Sequence, residues 1–411
     1  MRLFMHMIRE VCEDTFWIGA SDYRLVMFEN SYRIPDGMAY NSYVILDEKT
    51  CLLDGVDDVV AARFRENLLH VLGGRALDYM IINHMEPDHA AQIPWLHDRF
   101  PEMKLVGTKK AFDLLRQFHH IDPEPFSIVV TEGATLELGK HILQFVTAPM
   151  VHWPEVMVSF DLATGALFSA DAFGEFGALG GNLFADEVSW EAAWLFRARR
   201  YYTNIVGKYG ANMQNLLKKA AQLPISLICP LHGHVWRHDL DLILDAYQKW
   251  STYTPEEKTI VMYCGSIYGG TEQATEILAQ QLSQRGVRNI HIYNVATADM
   301  ATMVSEAFRA SHLVFASSTH DLDMFSAIRD LIAELRLHAL QKRHVALIEN
   351  GSWAPRAAAL MTEQFAKMKD IELLQPTVSV RSSVDEKTVE QLGLLADALA
   401  RSLDETSIRM A

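Results

Sequence analysis

"INHMEPDHAAQIP", Ile82–Pro94, sets two histidines, a glutamate and an aspartate into six consecutive positions, His84 to His89, directly behind an apolar run. The preceding Asp78–Ile82, DYMII, reads as a buried strand that Asn83 ends. Pro87 holds Glu86 in an extended conformation, so His84, Glu86 and Asp88 splay around one point before a turn feeds a helix. An apolar strand has run into side chains competent to bind metal.

Three later segments share that arrangement. They are FVTAPMVHWPEV with His152, GALFSADAFG with Asp171, and SLICPLHGH with His232. A lone histidine or aspartate at a strand end is usually a cap or a core group. Four such exits in one half of the chain supply three imidazoles and three carboxylates, enough for two metal ions and a carboxylate bridge. Nitrogen and oxygen donors without thiolate suit non-haem iron, manganese or zinc. Cys12, Cys51, Cys229 and Cys264 are scattered, which excludes a local zinc ribbon and suits a reducing compartment.

The whole chain narrows the setting. Its 411 residues exceed one ordinary core, so two domains are expected. A formal net charge of -15 argues against a nucleic-acid backbone or an anionic membrane surface as partner. The N-terminus, MRLFMHMIREV, soon meets Glu10, Glu13 and Asp14, and no apolar stretch is long enough to cross a bilayer, so a cytoplasmic protein is expected.

The two halves follow different patterns. In the first, TFWIGAS and YNSYVILDEKTCLLDGV read as hairpin-like strands, with helices at 58–72, 111–118 and 185–221. Paired strands with helices outside predict a layered α/β domain of mixed strand direction over residues 1–254. In the second, TIVMYCGS, NIHIYNV, HLVFASST, HVALIENG and IELLQPTVSV begin five βα units over 255–411, the size of a small doubly wound parallel sheet. The polar stretch Trp250–Lys258 separates the halves.

At the first strand exit of the second half stands YCGSIYGGTEQA. Ser266 and Thr271 offer hydroxyls, Gly269 and Gly270 let backbone N–H groups turn inward, and the following helix adds its positive end. Neither a GxxxxGK[ST] lysine nor GxGxxG is present, which favours a mononucleotide. Ligands in such sheets lie beyond the carboxyl ends of the strands, where SSTHDLD and ENGSWAP follow. Contacts are therefore expected from Ser266, Ile267, Tyr268, Gly269, Gly270 and Thr271, then from Ser317, Ser318 and Thr319, and from Asn350, Gly351 and Trp353.

HMEPDH with the downstream His, Asp and His resembles the metallo-β-lactamase-like superfamily, whose hydrolases usually carry HxHxDH. Here the second histidine is Glu86. That substitution, with YNSY at 40–43, HWPE, FSADAFG, RRYY at 199–202 and an SxYGxT loop, resembles the flavodiiron proteins, also called A-type flavoproteins. The resemblance implies an N-terminal αββα metallo-β-lactamase-like sandwich and a C-terminal flavodoxin-like five-stranded sheet holding flavin mononucleotide (FMN). It further implies that His84, Glu86 and His152 bind one iron, Asp88 and His232 the other, and that Asp171 bridges. His89 is expected off the metal, and Tyr201 is expected either to face the diiron pocket as a catalytic group or to be a helix-face tyrosine in the core.

The implied activity is reduction of dioxygen to water, of nitric oxide to nitrous oxide, or of both. Two ferrous ions and a reduced flavin together hold the four electrons dioxygen needs. The chain ends soon after the fifth βα unit, so the donor is expected to be separate: rubredoxin, a flavin reductase or a reduced deazaflavin coenzyme. A head-to-tail homodimer or a tetramer is also implied. The chief alternative is a zinc hydrolase of the β-lactamase-like superfamily with a flavodoxin-like accessory domain. Glu86 weighs against it, since a carboxylate adds charge and a harder ligand that helps hold ferric iron. A flavodoxin-like electron carrier with a structural metal domain is a further alternative, and structural sites are normally closed.

Overall fold

The strand that leads to His84, Tyr79–Ile82, is the fifth of seven in the first sheet. In spatial order that sheet runs Arg9–Cys12, Thr15–Trp17, Tyr43–Leu46, Thr50–Leu53, Tyr79–Ile82, Lys104–Gly107 and Ser127–Val129. The first four pair antiparallel and the rest parallel. The computed structural model describes residues 6–406. The start of the N-terminal stretch read for a leader, residues 1–5, lies outside them. Among the described residues no helix is long and apolar enough to cross a membrane.

A second sheet runs Thr135–Glu137, Ile142–Thr147, Met157–Asp161, Ala166–Phe168 and Leu227–Cys229, antiparallel until its last, parallel pair. Thr50–Leu53 and Met157–Asp161 are buried along their whole length, as strands covered on both faces must be. The two sheets with their helices make the αββα sandwich. One further segment departs from its expected form. The helix expected over 185–221 is five pieces, of which Leu195–Ile205 and Gly210–Ala220 are the longest. Thr203, Ile205 and Val206 crowd the helix with β-branched side chains. Gly210 then lets the backbone pass Ser251, whose carbonyl oxygen would lie 2.5 Å from a β-carbon there.

The chain divides into two compact units. Residues up to Tyr202 with Ala211–Tyr247 form one, and Thr203–Gly210 with Gln248 onward form the other. In the second unit the strands lie in the order His291–Asn294, Glu257–Gly265, Ala310–His320, Arg343–Asn350 and Ile371–Leu373, all parallel. This is a flavodoxin-like doubly wound sheet. Alternation along the strands sorts the core onto two faces. Val261, Tyr263, Leu313 and Phe315 face Met300–Arg309 and Ser326–Leu337, whereas Ile260, Met262, Val314 and Ala316 face Gly270–Gln284 and Glu386–Glu405. The fifth strand, expected whole over IELLQPTVSV, is split into Ile371–Leu373 and Val378–Val380, both paired to Arg343–Asn350. Pro376 lies between them and has no N–H to give the ladder.

His312 and His344 sit opposite each other in neighbouring strands, with rings stacked 4.6 Å apart. His312 is buried, with Ser311 Oγ 2.8 Å from Nδ1 and Ser402 Oγ 2.9 Å from Nε2. Burial first, then the neighbouring His344, pushes its pKa down to about 3. The unfolded chain therefore takes up the proton that the folded chain refuses. The stabilisation is whole above the ordinary histidine value and is lost as pH falls from there towards 3. Lowering pH from about 7.5 to 5.5 should cost the wild type about 1.4 kcal/mol more than His312→Asn, measured as urea unfolding at each pH. Equal losses would contradict this.

Candidate metal centre and mononucleotide cleft

Four strand exits from the two sheets deliver the site. Glu86 is extended, with φ -58° and ψ 142°, and Pro87 opens the short helix Pro87–Ala90 behind it. Its carboxylate makes no cap to that helix and is free to face His84 and His152. The exit itself is fixed by Asp54, buried at the end of Thr50–Leu53. Asp54 accepts from the N–H groups of Asn83 and His84 and from Asn83 Nδ2, and Ser159 Oγ donates to Asn83 Oδ1.

Ligand-competent atoms gather into two groups, each within 4.8 Å: His84, Glu86, His152 and Asp171, and beside them Asp88, His89 and His232. Asp171 joins them. Its Oδ2 lies 3.4 Å from His84 Nε2 and 3.1 Å from His152 Nε2, while Oδ1 lies 3.1 Å from His89 Nε2 and 3.7 Å from His232 Nε2. Glu86 Oε2 stands 3.2 Å from His84 Nε2 and 3.1 Å from His152 Nε2. Asp88 stands 3.4 Å from His89 and 3.1 Å from His232. The structure thus brings together all six residues singled out from the sequence and adds His89, which the resemblance had left aside.

Whether these residues fit a cation is answered by their hydrogen bonding. Both carboxylate oxygens of Asp88, Oδ1 of Asp171 and Nε2 of His89 and His232 are buried and make no hydrogen bond, although they lie close together. Buried polar atoms are rarely left so, and atoms that converge without bonding one another suit a common third partner. The electrostatics agree. Burial raises the Asp171 carboxyl, but His89 and His84 outweigh it and hold it well below the usual range. Burial likewise disfavours charge on His152, yet Asp171 and Glu86 lift it to about 9. A pocket whose carboxylates draw protons onto buried imidazoles draws any cation.

Outer partners turn the imidazoles. His84 Nδ1 lies 2.8 Å from Glu155 Oε1, and His232 Nδ1 lies 2.7 Å from the Ala39 carbonyl oxygen, so each presents Nε2 inward. The loop of His232 is clamped by the YNSY motif. Asn41 Nδ2 donates to the carbonyls of Pro230 and Gly233, both at 2.9 Å, and Tyr43 Oη donates to Pro230 O at 2.8 Å. Tyr201 stands where the centre is apolar. Its ring lies 5.7 Å from that of His232 and 5.2 Å from that of Phe176, and its buried hydroxyl has no hydrogen-bond partner. Gly174 permits this approach, since a β-carbon there would meet the ring at 2.6 Å. Burial, then Asp171, raises the Tyr201 pKa well above its ordinary value, so the hydroxyl keeps its proton.

The second unit holds a cleft of about 730 Å³ at the carboxyl ends of its strands. Ile267, Tyr268, Gly270, Thr271, Ser318, Thr319, Asn350, Gly351 and Trp353 line it as expected from their loops. Thr271 Oγ1 and Ser318 Oγ are 2.8 Å apart, and Tyr268 and Trp353 stand exposed at the mouth. Ser317 does not line the cleft. Its hydroxyl is buried and accepts from Phe325 N–H, serving the turn into the next helix. Ser266 and Gly269 also stay behind the lining, where Ser266 Oγ accepts from Gly269 N–H. Ser382, Ser352 and the His320–Leu322 hairpin tip complete the wall. Ser382 enters because the split fifth strand carries it back to Asn350, whose side chain bonds its N–H and carbonyl.

Fold and site together describe a β-lactamase-like domain with a candidate metal centre and a flavodoxin-like domain with a cleft at its strand ends. Residues 38–233 match the model of the "ODP family beta lactamase". The anaerobic nitric oxide reductase flavorubredoxin of Escherichia coli is 29% identical over 343 residues, 82% of this chain and 71% of that one. Rubredoxin oxygen:oxidoreductase from Desulfovibrio gigas shares the fold with a TM-score of 0.90 at 24% identity, over 97% of this chain and 98% of that one. The flavodiiron protein of Giardia intestinalis does so with a TM-score of 0.85 at 23% identity, over 96% and 98%. Residues 38–233 thus match a β-lactamase-like family model, and the chain shares the fold of these solved structures.

The clamp on His232 makes a stability prediction. Asn41→Ala removes the acceptor for Trp17 Nε1 as well as both donors to the His232 loop, all in the core. The expected loss is about 2–4 kcal/mol in urea unfolding. A loss below about 0.5 kcal/mol would show that the loop holds itself.

Proposed function

We propose that the chain is a flavodiiron oxidoreductase that reduces dioxygen to water, nitric oxide to nitrous oxide, or both, with electrons reaching two irons through FMN. The observation that carries this reading is Asp171, one oxygen turned to each imidazole pair. The similar proteins named above, a nitric oxide reductase and an oxygen oxidoreductase, support the same chemistry.

His84, Glu86 and His152 would hold one iron, Asp88 and His232 with His89 the other, and Asp171 would be shared. When bound, iron and flavin supply one-electron chemistry: four electrons and four protons turn dioxygen into two waters, and two of each turn two nitric oxides into nitrous oxide and water. Glu86 provides a hard anionic donor where a hydrolase has an imidazole, and so favours ferric iron over zinc. Phe28 and Phe176 pack about His232 and Tyr201 and exclude water from that side. Tyr201 holds its proton at Oη and can donate a hydrogen bond to a small oxygen-bearing guest. In the second unit, the Thr271 and Ser318 hydroxyls and the start of the helix Gly270–Gln284 would receive a phosphate, with Tyr268 and Trp353 beside the ring.

The reading carries with it an electron donor such as rubredoxin or a flavin reductase, a head-to-tail homodimer or tetramer, and a cytoplasmic setting. Metal analysis and anaerobic gas electrodes with a reduced donor test it. About two irons and one FMN per chain are expected. Asp171→Asn should lower gas consumption by about 100-fold or more while flavin absorbance stays unchanged. Zinc alone, or a flavin-reduced protein that consumes neither gas, would overturn the assignment.

A further inference from the structure

The two halves of the metal centre are matched in their inner donors. Each has two imidazoles and one carboxylate of its own, Glu86 in one and Asp88 in the other, and each takes one oxygen of Asp171. With the inner donors so matched, the groups that stand behind the imidazoles become a source of electronic difference between the halves. There they differ. Behind His84 stands Glu155, fully buried, with Oε1 2.8 Å from Nδ1 and 3.0 Å from Met85 N–H. Two acceptors at 2.8 Å require a proton between them. With Nε2 turned to the metal side, that proton belongs on Nδ1 and the charge on Glu155. Behind His232 stands the neutral Ala39 carbonyl, and His89 Nδ1 has no hydrogen-bond partner among the described residues. Asp54, a further buried carboxylate, spends its oxygens on Asn83 and the His84 N–H and hydrogen-bonds no imidazole.

We infer that Glu155 is a positioning residue that makes the two metal positions unequal: it renders the His84–Glu86 half the more electron-rich, so that a cation there is the harder to reduce. A carboxylate accepting from a ligating histidine gives the imidazole partial anionic character and stabilises the higher charge state on the metal. The neutral carbonyl behind His232 does so less. Electrons delivered one at a time would then settle first in the Asp88–His232 half. Nothing in the local sequence marks this role apart from a carboxylate three residues after His152.

The inference rests on the diiron reading, and the test separates the two. Wild type, Glu155→Gln, Glu155→Asp and Trp153→Phe are loaded with ferrous iron. Iron per chain, chelator competition and a spectroscopic redox titration that resolves the two one-electron steps are then measured. Glu155→Gln keeps the shape and loses the charge. It should weaken iron retention about 10- to 100-fold and narrow the separation of the two steps by raising the lower one. Glu155→Asp, which keeps the charge, should restore most of the separation. Trp153 packs edge-on to His84 at 5.4 Å without carrying charge, so Trp153→Phe should leave the separation as it is. Unchanged retention and separation in Glu155→Gln would overturn the inference, as would an equal effect of Trp153→Phe. A wild-type chain that takes up no iron pair would instead defeat the diiron reading beneath it.

Discussion

One buried carboxylate organises the first unit. Asp171 turns one oxygen to His84 and His152 and the other to His89 and His232, and it does so deep in the protein, where bare charge is costly. That cost must be met by what gathers round it, so the four strand exits are held by backbone and side-chain bonds that leave little freedom. Asp54 ties down the turn after Ile82, Asn41 and Tyr43 tie down the loop after Cys229, and Gly174 lets Tyr201 close over the result. The fold serves as a frame for strand ends, and the chemistry stands on them.

Much of this frame was legible in the residues. The HMEPDH cluster announced itself because proline fixes Glu86 and because four charged or ionisable side chains behind an apolar strand have few uses. The second unit was legible for a different reason: apolar β-branched runs alternating with amphipathic stretches permit few topologies, and its SxYGGT loop falls at the first strand exit. Where reading fell short, the missing information was non-local. The start of the next helix at Gly210 passes the carbonyl of Ser251, more than forty residues on, at a distance that leaves no room for a β-carbon. Ser317 looked like a cleft residue by neighbourhood, but Phe325 claims its hydroxyl. Ser382 gave no signal in its own segment and enters the cleft through pairing with Asn350.

The outer partners of the imidazoles were the least visible part. Glu155 is one carboxylate among many in the sequence, and the Ala39 carbonyl has no residue type at all. Yet they decide which ring nitrogen faces the centre. The contrast between a charged partner on one side and a neutral one on the other is a property of the folded molecule only. It gives a centre with matched donors a reason to behave asymmetrically.

The central claim is that seven nitrogen and oxygen donors surround two redox-competent cations shared by Asp171. Anomalous diffraction from crystals of the purified protein, recorded on both sides of the iron edge, tests it most directly. The account predicts two iron peaks, one beside His84, Glu86 and His152 and one beside Asp88 and His232, with Asp171 between them. A single peak, or peaks that persist only at the zinc edge, would contradict it.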